Sequence, residues 1–223
     1  LSSGIVSIYT AFSNCTNLKS ICYEGTLDDW VQIDFESCYD LLKYADLYIQ
    51  DQLVTDAVLT SATKINDYAF ARYKKLKSIT ICSSVRTIGY AFPECENLET
   101  VSYTGTMDEW GQIEFSDYGN PLQYADKFYI GDQLVTNAVL TGASGINAFA
   151  FYGYKTLTEL SIGGNVRDIG EGAFYGCTGL KTLSLGDSVT EIGKAAFRGC
   201  SSLSHIDFGS GIKTINSEAF RGC

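Results

Sequence analysis

The chain holds a single histidine, and its 16 Lys and Arg are outnumbered by 26 Asp and Glu. The sequence places no partner for His205 in a Ser-His-Asp or Cys-His system, so no activated nucleophile can be read from it. His205 stands beside Asp207, on a position that points away from the expected core. The net charge of −10 argues against nucleic acid, whose phosphates demand clusters of Lys and Arg. No apolar run approaches the roughly 20 residues that span a bilayer, and no basic amphipathic stretch suits a membrane surface. No Cys-x-x-Cys pair occurs, and with one histidine the eight cysteines do not form a zinc motif. The glycines of 163–172 lack the spacing of a phosphate or dinucleotide loop. No enzyme and no cofactor is expected. No charged segment followed by an apolar one marks a signal peptide at Leu1. Both ends fall inside the repeat described next, so the chain reads as a fragment of a longer protein.

What the chain does have is self-similarity. An Ala-Phe pair recurs at Phe12, Phe70, Phe92, Phe151, Phe174, Phe197 and Phe220, the last four 23 residues apart. Six residues after each Phe stands Leu18, Leu76, Leu98, Leu157, Leu180 or Leu203. Nine after stands Ile21, Ile79, Val101, Leu160, Leu183 or Ile206, and five before most of them stands Ile65, Ile146, Ile169, Ile192 or Ile215. A period of this length with so many agreeing columns marks a solenoid, in which stacked coils share one core along the whole chain. Hydrophobic residues make up 45% and charged residues 19%, which excludes disorder.

Thr182-Leu183-Ser184-Leu185 alternates with period two, hence a strand with one buried face. One strand per coil, stacked coil on coil, gives a parallel sheet. Its outward positions are Ser20 and Cys22, Ser78 and Thr80, Thr100 and Ser102, Glu159 and Ser161, Thr182 and Ser184, His205 and Asp207. This face, rich in small hydroxyls, is a candidate contact surface. Cys15, Cys95, Cys177, Cys200 and Cys223 share a column three after Phe, which Tyr73 and Tyr154 occupy in the other coils. A position that accepts Cys or Tyr is a packing position, and in-register Cβ vectors run parallel. A column of buried free thiols is expected.

Two long Phe intervals, of 58 and 59 residues, contain copies of one insert. Residues 22–35 match 102–115, and 44–60 match 124–141 with Lys127 as the extra residue. Thr26 with Asp29 and Thr106 with Glu109 have capping-box spacing, opening a helix that carries Trp30 or Trp110. Asn120-Pro121 is an N-cap with a first-turn proline, matched by Asp40-Leu41. Residues 128–135 then read as a β-hairpin turning at Gly131-Asp132. The return strand Ala138–Leu140 is expected to align Val139 with Leu185. Each insert, at about 24–56 and 104–137, is thus read as a helix–helix–hairpin excursion between two coils. Both leave after the same strand column, at Tyr23 and Tyr103, so they should emerge on one side as a paired ridge beside the sheet. Tyr48 and Gln52 on one hairpin, with Tyr129 and Gln133 on the other, are candidate contacts.

Other features have bland explanations. Asp28-Asp29 and Asp108-Glu109 suit helix N-termini, and Asp51 and Asp132 suit turns, so none is read as a calcium site. The sequon Asn14-Cys15-Thr16 has its middle residue in the cysteine column. Trp30 and Trp110 are expected to fill the core between insert and solenoid, whereas Tyr44, Tyr48, Tyr124 and Tyr129 are open to either role.

The stretch IGEGAFYGCTGLKTLSLGDSVTEIGKAAFRGC (169–200) resembles the BspA-like leucine-rich repeats, and GTxxxWxxI (25–33, 105–113) resembles modules interspersed among them. Tyr73 and Tyr154 depart from that pattern, as does the absence of proline from the loops at 81–85, 162–166 and 185–189. The resemblance implies an α/β repeat solenoid, a right-handed leucine-rich-repeat coil with a parallel sheet, forming one unit over 1–223. It also implies extracellular or cell-surface display and contact with a host or matrix protein or glycan, without catalysis. A structural spacer or self-associating scaffold is the alternative.

Overall fold

The computed structural model describes residues 1–223 and is a β-solenoid of stacked parallel coils. After a 3-10 turn at Thr10–Phe12 come β1 (Ser20–Tyr23), α1 (Leu27–Trp30), α2 (Leu41–Tyr44), β2 (Asp46–Ile49) and β3 (Gln52–Leu53). The chain goes on through β4 (Asp56–Val58), β5 (Lys64–Ile65), β6 (Ser78–Ile81), β7 (Thr87–Ile88) and β8 (Thr100–Tyr103). The pattern recurs as α3 (Met107–Trp110), β9 (Glu114–Phe115), a 3-10 turn at Pro121–Gln123, β10 (Lys127–Ile130), β11 (Gln133–Leu134) and β12 (Asn137–Leu140). The plain coils supply β13 (Gly145–Ile146), β14 (Glu159–Ile162), β15 (Asp168–Ile169), β16 (Thr182–Leu185), β17 (Glu191–Ile192), β18 (His205–Asp207) and β19 (Thr214–Ile215).

Two rows of strands run along the solenoid rather than one. The four-residue strands bury alternate side chains, as in β14, where Leu160 and Ile162 are buried while Glu159 and Ser161 are exposed. The isoleucine column five before Phe forms a second, two-residue strand, giving the sheets β5-β7-β9 and β13-β15-β17-β19. A run of two residues is too short for its period to be legible in the sequence. Between the rows lies one core of 62 residues. Within it the phenylalanines stack face to face, Phe151 on Phe174 at 5.0 Å and Phe174 on Phe197 at 5.2 Å, with ring planes 4° and 2° apart. Identical residues in register, one rung spacing apart, leave this geometry as the only close packing.

Cys95, Cys177 and Cys200 are buried and unpaired, but Cys15 and Cys223 are exposed, contrary to the expectation for the whole column. The buried thiols donate to the Phe carbonyl of the coil before, Cys95 to Phe70 at 3.0 Å and Cys177 to Phe151 at 3.2 Å. Burial pushes the Cys95 and Cys200 thiols up to about 12, so they stay protonated donors at neutral pH.

The inserts are longer coils more than excursions. The first strand of each hairpin is itself a rung of the main sheet: β2 pairs in parallel with β1, and β10 with β8. The return strand β3 or β11 then lies antiparallel on it and ends that sheet. The main row is thereby divided into β1-β2-β3, β4-β6-β8-β10-β11 and β12-β14-β16-β18. The expected alignment of Val139 is off by one: Leu140 stands in register with Ile162 and so with Leu185, and Val139 pairs with Ser161. A one-residue slip moves a side chain to the other face, and Val139 is 60% exposed.

Side-chain groups hold each insert where backbone partners run out. Both capping boxes are formed, with Thr26 accepting from Asp29 N at 3.1 Å and Thr106 from Glu109 N at 3.2 Å. Trp30 and Trp110 are fully buried and donate Nε1–H to the carbonyls of Ala69 at 2.9 Å and Ala150 at 2.7 Å. In coils preceded by another Ala-Phe coil, that alanine carbonyl accepts from the Phe N–H of the coil before, as Ala173 does from Phe151 at 2.7 Å. The insert coil has no such Phe, and the indole takes its place. Glycine suits positions 25 and 105, because a Cβ there would sit 2.6 Å from the buried ring of Tyr23 or Tyr103 and push it aside.

Candidate ligand face

The outward side chains of the main sheet form rows across the rungs. In the central sheet one row is Asp56, Ser78, Thr100 and Lys127, and the next is Val58, Thr80, Ser102 and Tyr129. In the last sheet the rows are Asn137, Glu159, Thr182, His205 and Val139, Ser161, Ser184, Asp207. In the first sheet Tyr48 stands beside Cys22. Because side chains of paired residues project to one side, Tyr48 and Tyr129 share the face of the hydroxyl residues, one in the first sheet and one in the central sheet.

Ser78, Thr80, Thr100, Ser102, Thr182, Tyr48 and Tyr129 are half-buried, while Glu159, Ser161, Ser184, His205, Asp207, Gln52 and Gln133 are exposed. The structure therefore divides them. Ser78, Thr80, Thr100, Ser102 and Tyr129 lie on the central sheet with Gln133 at its hairpin, and Glu159 through Asp207 lie on the last. The latter line a shallow depression of about 290 Å³ together with Asn137 and Val139. Asp56 accepts from Ser78 Oγ at 2.6 Å and from Thr55 Oγ1 at 2.8 Å, and these bonds hold its carboxyl below the usual range.

Four apolar residues on this face escaped the sequence reading. Leu53 pairs with Tyr48 and Leu134 with Tyr129 across the hairpins, and they are 39% and 48% exposed. Val58 and Val139 follow on the next strands, 54% and 60% exposed. Tyr48-Leu53-Val58 and Tyr129-Leu134-Val139 are thus one outward-facing trio, a half-buried tyrosine with two exposed aliphatic residues, occurring twice, 81 residues apart. The super-repeat carries the signal, since both trios match in sequence, but aligning Val139 with Leu185 turns it inward.

A larger hollow of about 710 Å³ lies over the second row, lined by Lys64, Asp67, Thr87, Glu114 and neighbours. No three His, Cys, Asp or Glu side chains are grouped to hold a metal ion. No helix is long and apolar enough to cross a membrane. Asp28 has a use that the helix N-terminus alone did not reveal: its carboxylate reaches across to the loop after β4. There it accepts from Thr60 N at 2.9 Å, Thr60 Oγ1 at 2.6 Å and Ala62 N at 3.0 Å.

A family model described as a BspA type leucine rich repeat region matches residues 45–123 and 124–223, in six copies. Solved structures of similar fold include a leucine-rich repeat protein from Eubacterium ventriosum, 21% identical, covering 99% of this chain and 62% of that one, with a TM-score of 0.60. Another, from Bacteroides ovatus, is 21% identical over 99% of this chain and 69% of that one, with a TM-score of 0.44. A leucine rich cell surface protein from Faecalibacterium prausnitzii is 16% identical over 76% of this chain and 73% of that one, with a TM-score of 0.34. No curated protein matches the chain.

Proposed function

Because the chain belongs to the BspA-type leucine-rich-repeat family, we propose that it is a non-enzymatic recognition module of a cell-surface protein. It would engage a protein or glycan through the outward face of its main sheet and the two hairpins. One observation carries this reading: the same outward-facing trio of one half-buried tyrosine and two exposed aliphatic residues is presented twice on one face. Tyrosine and clustered apolar side chains are the groups that supply contact energy at binding surfaces, and neither trio is needed to fill the core. The hydroxyls of Ser78, Thr80, Thr100 and Ser102, between the trios, would add hydrogen bonds without bulk.

The test is solid-phase binding to immobilised extracellular-matrix proteins and to a glycan array, with surface labelling of intact source cells. Binding that falls at least about tenfold in the variant Tyr48→Ser with Tyr129→Ser, each truncation removing an aromatic anchor, supports the reading. Binding unchanged by that variant removes the hairpins from the contact surface, and no binding to any member of either panel counts against recognition.

A further inference from the structure

The central sheet carries a feature that two tyrosines on hairpins do not explain. Its four parallel rungs, β4, β6, β8 and β10, hold strict register. Read across the rungs, one outward row runs acid, hydroxyl, hydroxyl, base: Asp56, Ser78, Thr100, Lys127. The other runs apolar, hydroxyl, hydroxyl, aromatic: Val58, Thr80, Ser102, Tyr129. Each row is complementary to its own reverse.

Asp56 and Lys127 are both exposed, and neither takes part in any of the six ion pairs within the chain. They stand on the outer rungs, three rung spacings apart, which is about 14 Å. No element covers the face, as the exposure of Val58 demonstrates. The two rungs between them carry no charge, so nothing in the middle repels a like surface.

We propose that a second copy of this chain occupies the face, related by a two-fold axis that runs along the strands between β6 and β8. That operation reverses the rung order and leaves each row in place. Asp56 then meets Lys127 of the second copy, Val58 meets Tyr129, Ser78 meets Thr100 and Thr80 meets Ser102, each contact occurring twice. Such an isologous pairing is the commonest closed symmetry. It rests on the reading of this face as a contact surface and names its occupant.

The patch is small. Four rungs of three or four residues each offer a few hundred Å² a side, against about 800 Å² per partner in a standard interface. The association is therefore weak and concentration-dependent, populated at about 100 µM and above. That suits chains displayed side by side at high local concentration, where avidity multiplies weak contacts.

Sedimentation velocity on the 223-residue chain, from about 10 µM to about 1 mM, tests the pairing. The wild type is expected to shift toward dimer over this range, less so at high salt. Lys127→Asp and Asp56→Lys each place like charges opposite one another and should each lower the association constant at least about tenfold. The variant carrying both reversals restores the pairing and should return to within about threefold of wild type. This rescue also separates a lost contact from a misfolded chain. A wild type that stays monomeric at 1 mM, single reversals without effect, or a double variant that is not rescued overturns the proposal. None of these results uses a foreign ligand, so failure here leaves recognition of a protein or glycan to be judged by its own assay.

Discussion

The coils of 152–223 and the insert-bearing coils before them solve one problem in two ways. Every coil must satisfy the backbone groups it turns toward its neighbours, because an unpaired buried group costs about 1–3 kcal/mol. In the plain coils, repetition does this. The N–H of Phe174 bonds to the carbonyl of Ala196 and that of Phe197 to Ala219, both at 2.8 Å, while Cys200 donates to Phe174 at 3.3 Å. Each coil is the template for the next. An insert coil lacks the Ala-Phe pair, so its neighbour loses its partners, and side chains step in: Trp30 for Ala69, Trp110 and Asn120 for Ala150, Tyr73 and Tyr154 for the cysteine. The tyrosines that break the cysteine column sit in the coils that follow inserts. There the upstream coil offers no Phe carbonyl, and a thiol would not reach. Tyr73 donates to Val54 O at 2.8 Å and accepts from Leu47 N at 3.2 Å, closing the gap where the hairpin leaves the sheet; Tyr154 donates to Val135 O in the same way.

The comparison can be tested first at the stack. Phe174→Ala should cost about 3–5 kcal/mol in chemical denaturation. Phe70→Ala should cost less by about 0.5–1.5 kcal/mol, because Phe70 stacks only on Phe92 whereas Phe174 lies between Phe151 and Phe197. Equal losses would mean that repetition adds nothing to a plain coil.

Next in size is Tyr73→Cys, which restores the majority residue of its column. It should nonetheless destabilise by about 2–4 kcal/mol, since it opens a void and strands Leu47 N–H and Val54 C=O. Stability unchanged in thermal melts would make the tyrosine an ordinary column variant. Trp30→Phe should follow at about 1–3 kcal/mol through the orphaned Ala69 carbonyl. Trp110→Phe should cost less, because Asn120 still donates to Ala150 at 2.6 Å. Amide exchange across residues 66–71 and 147–152 would reveal the asymmetry.

The smallest effect is acid sensitivity. Burial by itself would raise the Asp28 carboxyl, but the bonds from Thr60, Ser61 and Ala62 outweigh it and hold the group below the usual aspartate range. A folded-state value below the unfolded one means that its stabilisation is complete above about pH 4 and is lost as pH falls through the folded value. Between about pH 4 and pH 2, Asp28→Asn should therefore lose less stability than the wild type. A wild type and variant with parallel pH profiles would deny Asp28 that part.

Much of this was legible in residues alone. The Phe, Leu and Ile columns name the core because each lies at a fixed offset, and stacked coils turn a fixed offset into a shared position. The capping boxes of Thr26 and Thr106 were legible for the same reason, since their partners lie three residues away. Outward hydroxyls such as Ser78 and Thr100 follow from period two. Contacts between distant residues, or choices among near-equal local patterns, belonged to the tertiary structure. Ala-Val-Leu at 138–140 alternates acceptably in either register, and only pairing with β14 buried Leu140 and exposed Val139. No local pattern tells that a hairpin strand at 127–130 will serve as a rung, because the edge it fills belongs to residues 100–103. Nor could the helix holding Asp28 indicate a loop 32 residues on. Periodic burial is written along the chain, but which backbone groups lack partners is known only once the coils are stacked.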